Sequence, residues 1–243
     1  MREAFFILPM NAYPLPLPPA TPRPSAGRAD GSHDADVMRT LRSFEDAGIA
    51  VFPGRVGRKG SYTESWPGMS AEAAFACTRR AHAAGPINLA GRTGNGWAVL
   101  DLDGQGDVRP DELLPLLRQR LGDSVFAIVK TRRGFHLWVR VKEGVGNGYC
   151  AFIGGEVFSG EHLAMLPTSL HPEGGRYDWV VRPQRPREVA DLRALGLTPS
   201  GATPGTKRTT SSQSRLAPAP ADVQEAFASL MARAGVARRA GRV

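Results

Sequence analysis

The chain has 243 residues, a formal net charge of +8 and only two cysteines, enough length for one substantial domain with tails. No apolar stretch approaches a membrane span, and "AFFILPM" (Ala4 to Met10) is too short for a signal peptide and runs straight into prolines. The expected location is therefore cytoplasmic, with no membrane partner. Cys77 and Cys150 stand far apart without CxxC or CxxxH spacing, so they read as buried small apolar residues and give no support for a disulfide framework or a structural zinc. A pI near 10.2 points to a polyanionic partner, although an Arg-rich composition heavy in Ala, Gly and Pro also fits a GC-rich genome.

Residues 1–34 are rich in Pro, Ser and Gly and read as a disordered arm. The spacing of Val37, Met38, Leu41, Phe44 and Ala47 predicts a helix stopped by Gly48, with "IAVFP" following as a strand. "SAEAAFACTRRAHAAG" predicts a second helix capped by Ser70 and ended by Gly85. Two short strands, "PINLAG" and "WAVLDLD", come next. The helix "PDELLPLLRQRLG" then carries Leu113, Leu114, Leu117 and Leu121 on one stripe. After it, "VFAIVKT", "FHLWVRV", "GGEVFS", "HLAML" and "RYDWVV" are β-rich runs between turns. Helices alternate with strands early and strands dominate late, which predicts an α+β domain over residues 35–193 built on a largely antiparallel sheet with flanking helices. Residues 194–220 have linker composition, and 221–243 read as a basic helix or tail.

In "WAVLDLDGQG", Asp101 and Asp103 are two positions apart and leave the same face of an extended strand. Two neighbouring carboxylates repel, and a cation between them relieves this. Asp before Gly is also ordinary strand-ending turn chemistry. In "FHLWVRV", Phe135, Leu137, Val139 and Val141 share one face, leaving His136, Trp138 and Arg140 on the other, outside the core, with Lys130, Arg132 and Arg133 just before the strand. That set suits phosphate oxygens, and a solvated strand face is the bland alternative. Glu156 follows two glycines, where bare backbone can approach a ligand, and is the candidate third acid. Glu161 and His162 read as turn residues. Three hard carboxylates select Mg²⁺ or Mn²⁺ over zinc, and two such ions at a triphosphate support in-line attack by a hydroxyl on the α-phosphate.

The order of the pieces is more specific than any one of them. "AGIAVFPG" with Lys59 after it, Asn88, a Gly91–Gly96 turn into "AVLDLD", a basic turn into "FHLWVRV", then "GGEVFS" and "LPTSLHPEGGRYDW" together resemble the bifunctional DNA primase/polymerase (Prim-Pol) domain of the archaeo-eukaryotic primase superfamily, over Phe44 to Val181. The resemblance implies a primase-like (RRM-like) core and a nucleotidyltransferase that adds NTPs or dNTPs on single-stranded DNA during replication of a chromosome, plasmid or phage. It implies that Asp101, Asp103 and Glu156 bind the divalent ions, Glu156 standing where the family usually has Asp, and that His136 contacts the triphosphate. It assigns Arg132, Arg133 and Lys59 to phosphate or template backbone and Arg176 to nucleotide binding, Arg176 lying in a family stretch with His171 and Trp179, which read as a turn histidine and a core aromatic. Gly134 departs from the Ser frequent there. No GxxxxGK[ST] loop is present, so the resemblance leaves either a separate helicase as partner or a reduced mobile element as source. Two rivals are a catalytically weakened nucleic-acid or nucleotide-binding module of the same fold, and a metal-dependent nuclease, for which "DLDGQG" lacks the Glu-x-Lys of the common restriction type.

Overall fold

The computed structural model describes residues 31–61, 66–104 and 109–200. The body of the expected arm, most of the expected linker and the expected C-terminal helix lie outside the described residues. Helix α1 (Gly31–Asp46) begins four residues inside the segment assigned to the arm and buries Val37, Leu41 and Phe44. Gly48 ends it at a φ of 71°, a conformation that costs glycine little because no Cβ meets the carbonyl. Strand β1 (Val51–Gly54) and helix α2 (Ala71–Ala84) follow. The Ser70 hydroxyl accepts the Ala73 amide at 3.2 Å as α2's N-cap.

Strands β2 (Asn88–Arg92) and β3 (Trp97–Leu102) precede helix α3 (Pro110–Leu121). Six strands complete the domain: β4 (Val125–Lys130), β5 (Phe135–Arg140), β6 (Asn147–Cys150), β7 (Gly155–Phe158), β8 (Leu163–Met165) and β9 (Asp178–Val181). The short β6 is an addition to the expected strands. They form a three-stranded sheet, β1-β2-β8, and a six-stranded sheet, β6-β7-β3-β5-β4-β9, with antiparallel pairing between neighbours. This is the expected α+β architecture.

The six-stranded sheet is covered on both faces, and this changes one expectation. Leu100, Leu102, Leu137 and Val139 pack under the α3 leucines. On the opposite face Trp97, Val99, Phe126 and Trp138 meet α1, α2 and the smaller sheet. The alternation along β5 is as expected, but the His136–Trp138 face is not a free one: Trp138 is 0% exposed, with Phe44 edge-on to it at 5.2 Å. A period-2 pattern shows which residues share a face, not whether a second layer covers it. Gly91 makes that layer possible, since a Cβ there would lie 2.7 Å from the Trp138 ring.

The domain also runs past Arg193, because Leu197 is buried in the α3-side core and Ser200 donates its amide to Tyr149 at 2.7 Å. Neither cysteine forms a disulfide among the described residues; Cys150 is buried as expected, whereas Cys77 is only half-buried on α2. Among the described residues no helix is long and apolar enough to cross a membrane.

Candidate active site

Register puts the site together. Asp101 on β3 pairs with His136 on β5 and with Glu156 on β7. Directly opposed residues point to the same face, so Glu156, Asp101 and His136 form one row across three adjacent strands, each about 4.8 Å from the next. Asp103 lies one step further along, past the end of β3.

Two glycines allow the strands to close on this row. A Cβ at Gly155 would sit 3.1 Å from the Asp101 carbonyl carbon and closer still to its oxygen. The bare backbone before Glu156 therefore serves approach to β3 rather than approach to a ligand, as its place at a strand start had suggested. A Cβ at Gly134 would be 2.7 Å from the Leu102 carbonyl carbon, and again closer to the oxygen. No side-chain hydroxyl fits at this position; the Gly134 amide instead donates to the Thr131 hydroxyl at 2.9 Å, closing the turn into β5.

His136 Nε2 lies 3.5 Å from Asp101 Oδ1. Among the described residues its buried Nδ1 has no hydrogen-bond partner, a costly state that a bound ligand or water relieves. Burial pushes the Asp101 carboxyl up, but His136, Lys59 and Arg133 together outweigh it and hold the group below the ordinary aspartate value. Glu156 moves the other way: burial raises its carboxyl, and the charges of Asp101 and Asp103 raise it further against a smaller opposing effect of Lys59. Negative charge at Glu156 is thus under-compensated, the condition in which a divalent cation binds favourably.

The donor set is right in kind for Mg²⁺ or Mn²⁺, being carboxylate oxygens. Its side chains are not drawn together as ligands: Asp103 faces Arg133 at 3.4 Å, and among the described residues no three His, Cys, Asp or Glu are gathered closely enough to hold an ion.

The expected cations divide. Lys59, in the loop between β1 and α2, acts electrostatically on both Asp101 and Glu156, and Arg133 reaches Asp103. Asn88 fixes the Lys59 loop: its side-chain amide donates to the carbonyls of Arg58 at 3.1 Å and Leu170 at 2.9 Å, and its Oδ1 accepts the Leu170 amide at 2.9 Å. Arg132 is ion-paired with Glu173. Lys130 belongs to the opposite face, over the Phe135 ring and 3.8 Å from Asp111 of α3. Arg176 is exposed and turns to His33 of α1 at 3.3 Å, away from the acid row. His171 accepts the Glu173 amide at 3.1 Å and Trp179 packs on the α1-side core, so both have the structural surroundings expected of them.

Two residues near the row escaped the sequence reading. Tyr177 is buried with its ring 6.0 Å from His136, and burial and Asp101 push its hydroxyl up to about 12. His162, expected in a turn, lies flat on Phe158 with ring centroids 3.7 Å apart, within electrostatic range of Asp101 and His136. Neither carries a local sequence signal, because each reaches the row through the pairing of distant strands.

An α+β domain with acids and a histidine in one transverse row, and cations converging from two loops, is the class of site found here. Residues 40–195 match the family model for the bifunctional DNA primase/polymerase N-terminal domain, and the chain belongs to that family. A comparison with curated proteins returns no match.

Proposed function

We propose that this domain is a nucleotidyltransferase that adds NTPs or dNTPs to a strand on a single-stranded DNA template, with Asp101, Asp103 and Glu156 holding Mg²⁺ or Mn²⁺. Family membership supports a primase or polymerase theme. The observation that carries the assignment of residues is the register placing Glu156, Asp101 and His136 side by side on β7, β3 and β5. Bound divalent ions would neutralise the triphosphate and acidify the attacking hydroxyl.

The chain's own groups do the rest. His136, with a buried ring nitrogen that has no partner among the described residues, donates an N–H to a phosphate oxygen. Lys59 and Arg133 bring positive charge to the same place, and Arg133 exchanges Asp103 for phosphate when nucleotide enters. Arg132, engaged by Glu173, adds to the field around the site rather than contacting the nucleotide. Fixed donors in a partly buried cleft orient the α-phosphate for in-line attack at little reorganisation cost.

One observation favours a second reading, binding without catalysis: among the described residues no three His, Cys, Asp or Glu are gathered closely enough to hold an ion, and Asp103 is ion-paired with Arg133. Incubating the full chain with labelled NTPs and dNTPs and Mn²⁺, on single-stranded template with and without primer, separates the two. Template-dependent addition supports the enzyme, while nucleotide binding without addition supports the binding module.

A further inference from the structure

The turn between β7 and β8 is tied down at nearly every polar group. The Asn147 side chain accepts the Ser159 and Gly160 amides at 3.0 and 2.8 Å and donates to the Glu161 carbonyl at 3.3 Å. The Thr93 hydroxyl donates to the Gly160 carbonyl, and the Thr93 amide donates to the His162 carbonyl at 2.9 Å. The chain is thereby fixed as it crosses from the six-stranded sheet to the smaller one.

What this turn presents is the His162 ring, stacked on Phe158 at an interplanar angle of 3°. Phe158 stands two residues beyond Glu156 on the same face of β7, so the imidazole lies over the face that carries the acid row, within electrostatic range of Asp101 and His136. Among the described residues neither His162 ring nitrogen has a hydrogen-bond partner. Burial, reinforced by His136 and opposed by Asp101, lowers its basicity, and a neutral imidazole still carries one N–H. An oriented imidazole with an available N–H, beside carboxylates whose bound divalent ions would draw in phosphate, is suited to donate to a phosphate oxygen.

Resting on the nucleotidyltransferase reading, we propose that His162 is a second phosphate-binding histidine of this site. Its N–H meets a phosphate oxygen from the Phe158 side of the row while His136 acts from within the row. The phosphate belongs either to the nucleotide's triphosphate or to the DNA backbone.

Two variants separate the stack from the N–H. His162→Phe keeps an aromatic ring on Phe158 and removes the donor; His162→Gln keeps an N–H and removes the ring. Affinities of the full chain for dGTP with Ca²⁺, and separately for a fluorescein-labelled single-stranded oligonucleotide, are measured beside melting temperature. His162→Phe should melt like the wild type and bind one of the two ligands 5- to 20-fold more weakly, corresponding to about 1–2 kcal/mol for one lost hydrogen bond. His162→Gln should recover part of the loss. Weakening confined to dGTP assigns the triphosphate, and weakening confined to the oligonucleotide assigns the backbone. Unchanged affinity of His162→Phe for both, in a chain whose wild type binds them, overturns this inference alone. A wild type that binds neither ligand overturns it together with the nucleotidyltransferase reading.

Discussion

Replacing Gly134 by Ala adds one methyl group where β3 and β5 come closest, beside the acid row. The new Cβ would stand 2.7 Å from the Leu102 carbonyl carbon and 3.3 Å from Pro110 Cβ, against about 3.5 Å for relaxed carbon contact. The Leu102 end of β3 must therefore retreat by on the order of 1 Å, with Asp103 following it. Overpacking of this size costs about 1–3 kcal/mol, and weakening one or two ladder hydrogen bonds adds about 1 kcal/mol each. A loss of about 3 kcal/mol corresponds to roughly 6–12 °C in melting temperature for a domain of this size. Urea unfolding at neutral pH, with nucleotide addition measured on the same preparation at a temperature where the variant is folded, checks both parts. The folded variant should add nucleotide at least tenfold more slowly, because reacting groups misplaced by about 1 Å lose rate steeply. Gly134→Ala unfolding within about 0.5 kcal/mol of wild type at full activity would refute the close approach of β3 to β5.

Glu156→Gln should raise the metal-free melting temperature at pH 7. The folded Glu156 carboxyl is held above its ordinary 4.5, so ionisation costs stability as pH rises through that value, and the gain should disappear below it. Asp101→Asn should do the reverse: a carboxyl held below 3.8 contributes stability that is present at neutral pH and lost only as pH falls below that value, so the variant should be less stable at pH 7 and equal to wild type in strong acid. At Asp101 the cost of burying the charge is outweighed by its cationic neighbours, whereas at Glu156 burial, reinforced by Asp101 and Asp103, prevails over Lys59. Mn²⁺ at about a hundred times its Kd should stabilise the wild type by about 2.7 kcal/mol and Glu156→Gln much less, read by thermal shift. Asn88→Ala, which releases the Lys59 loop from Leu170, should raise the nucleotide KM several-fold at near-constant kcat, and an unchanged KM would leave Asn88 a packing residue only.

Much of this arrangement is legible in the chain itself because it is local. The α3 leucine stripe, the Ser70 cap and the alternation in β3 and β5 follow from spacing and propensity, and all appear as expected. Asp101 is in the β3 row by the same alternation, and Asp103 follows one step past the strand's end. What spacing cannot supply is pairing between distant segments. It does not tell that β7 lies beside β3, so that Glu156 stands next to Asp101 and Gly155 serves strand contact. Nor does it tell that a second layer covers Trp138, that Lys130 faces α3, or that Arg176 turns to α1. His162 illustrates the gap: a turn residue by sequence, it reaches the site only because the chain crosses between sheets there.

The assignment of the acid row is tested most directly by single-turnover nucleotide addition on a primed single-stranded template with Mn²⁺, comparing wild type with Asp101→Asn and Glu156→Gln. Circular dichroism on each variant controls for the fold. The wild type should extend the primer, and each variant, folded and near-isosteric, should be slower by about a hundredfold or more for a lost electrostatic contact to the reacting centre. Extension by folded Asp101→Asn at the wild-type rate would contradict the account.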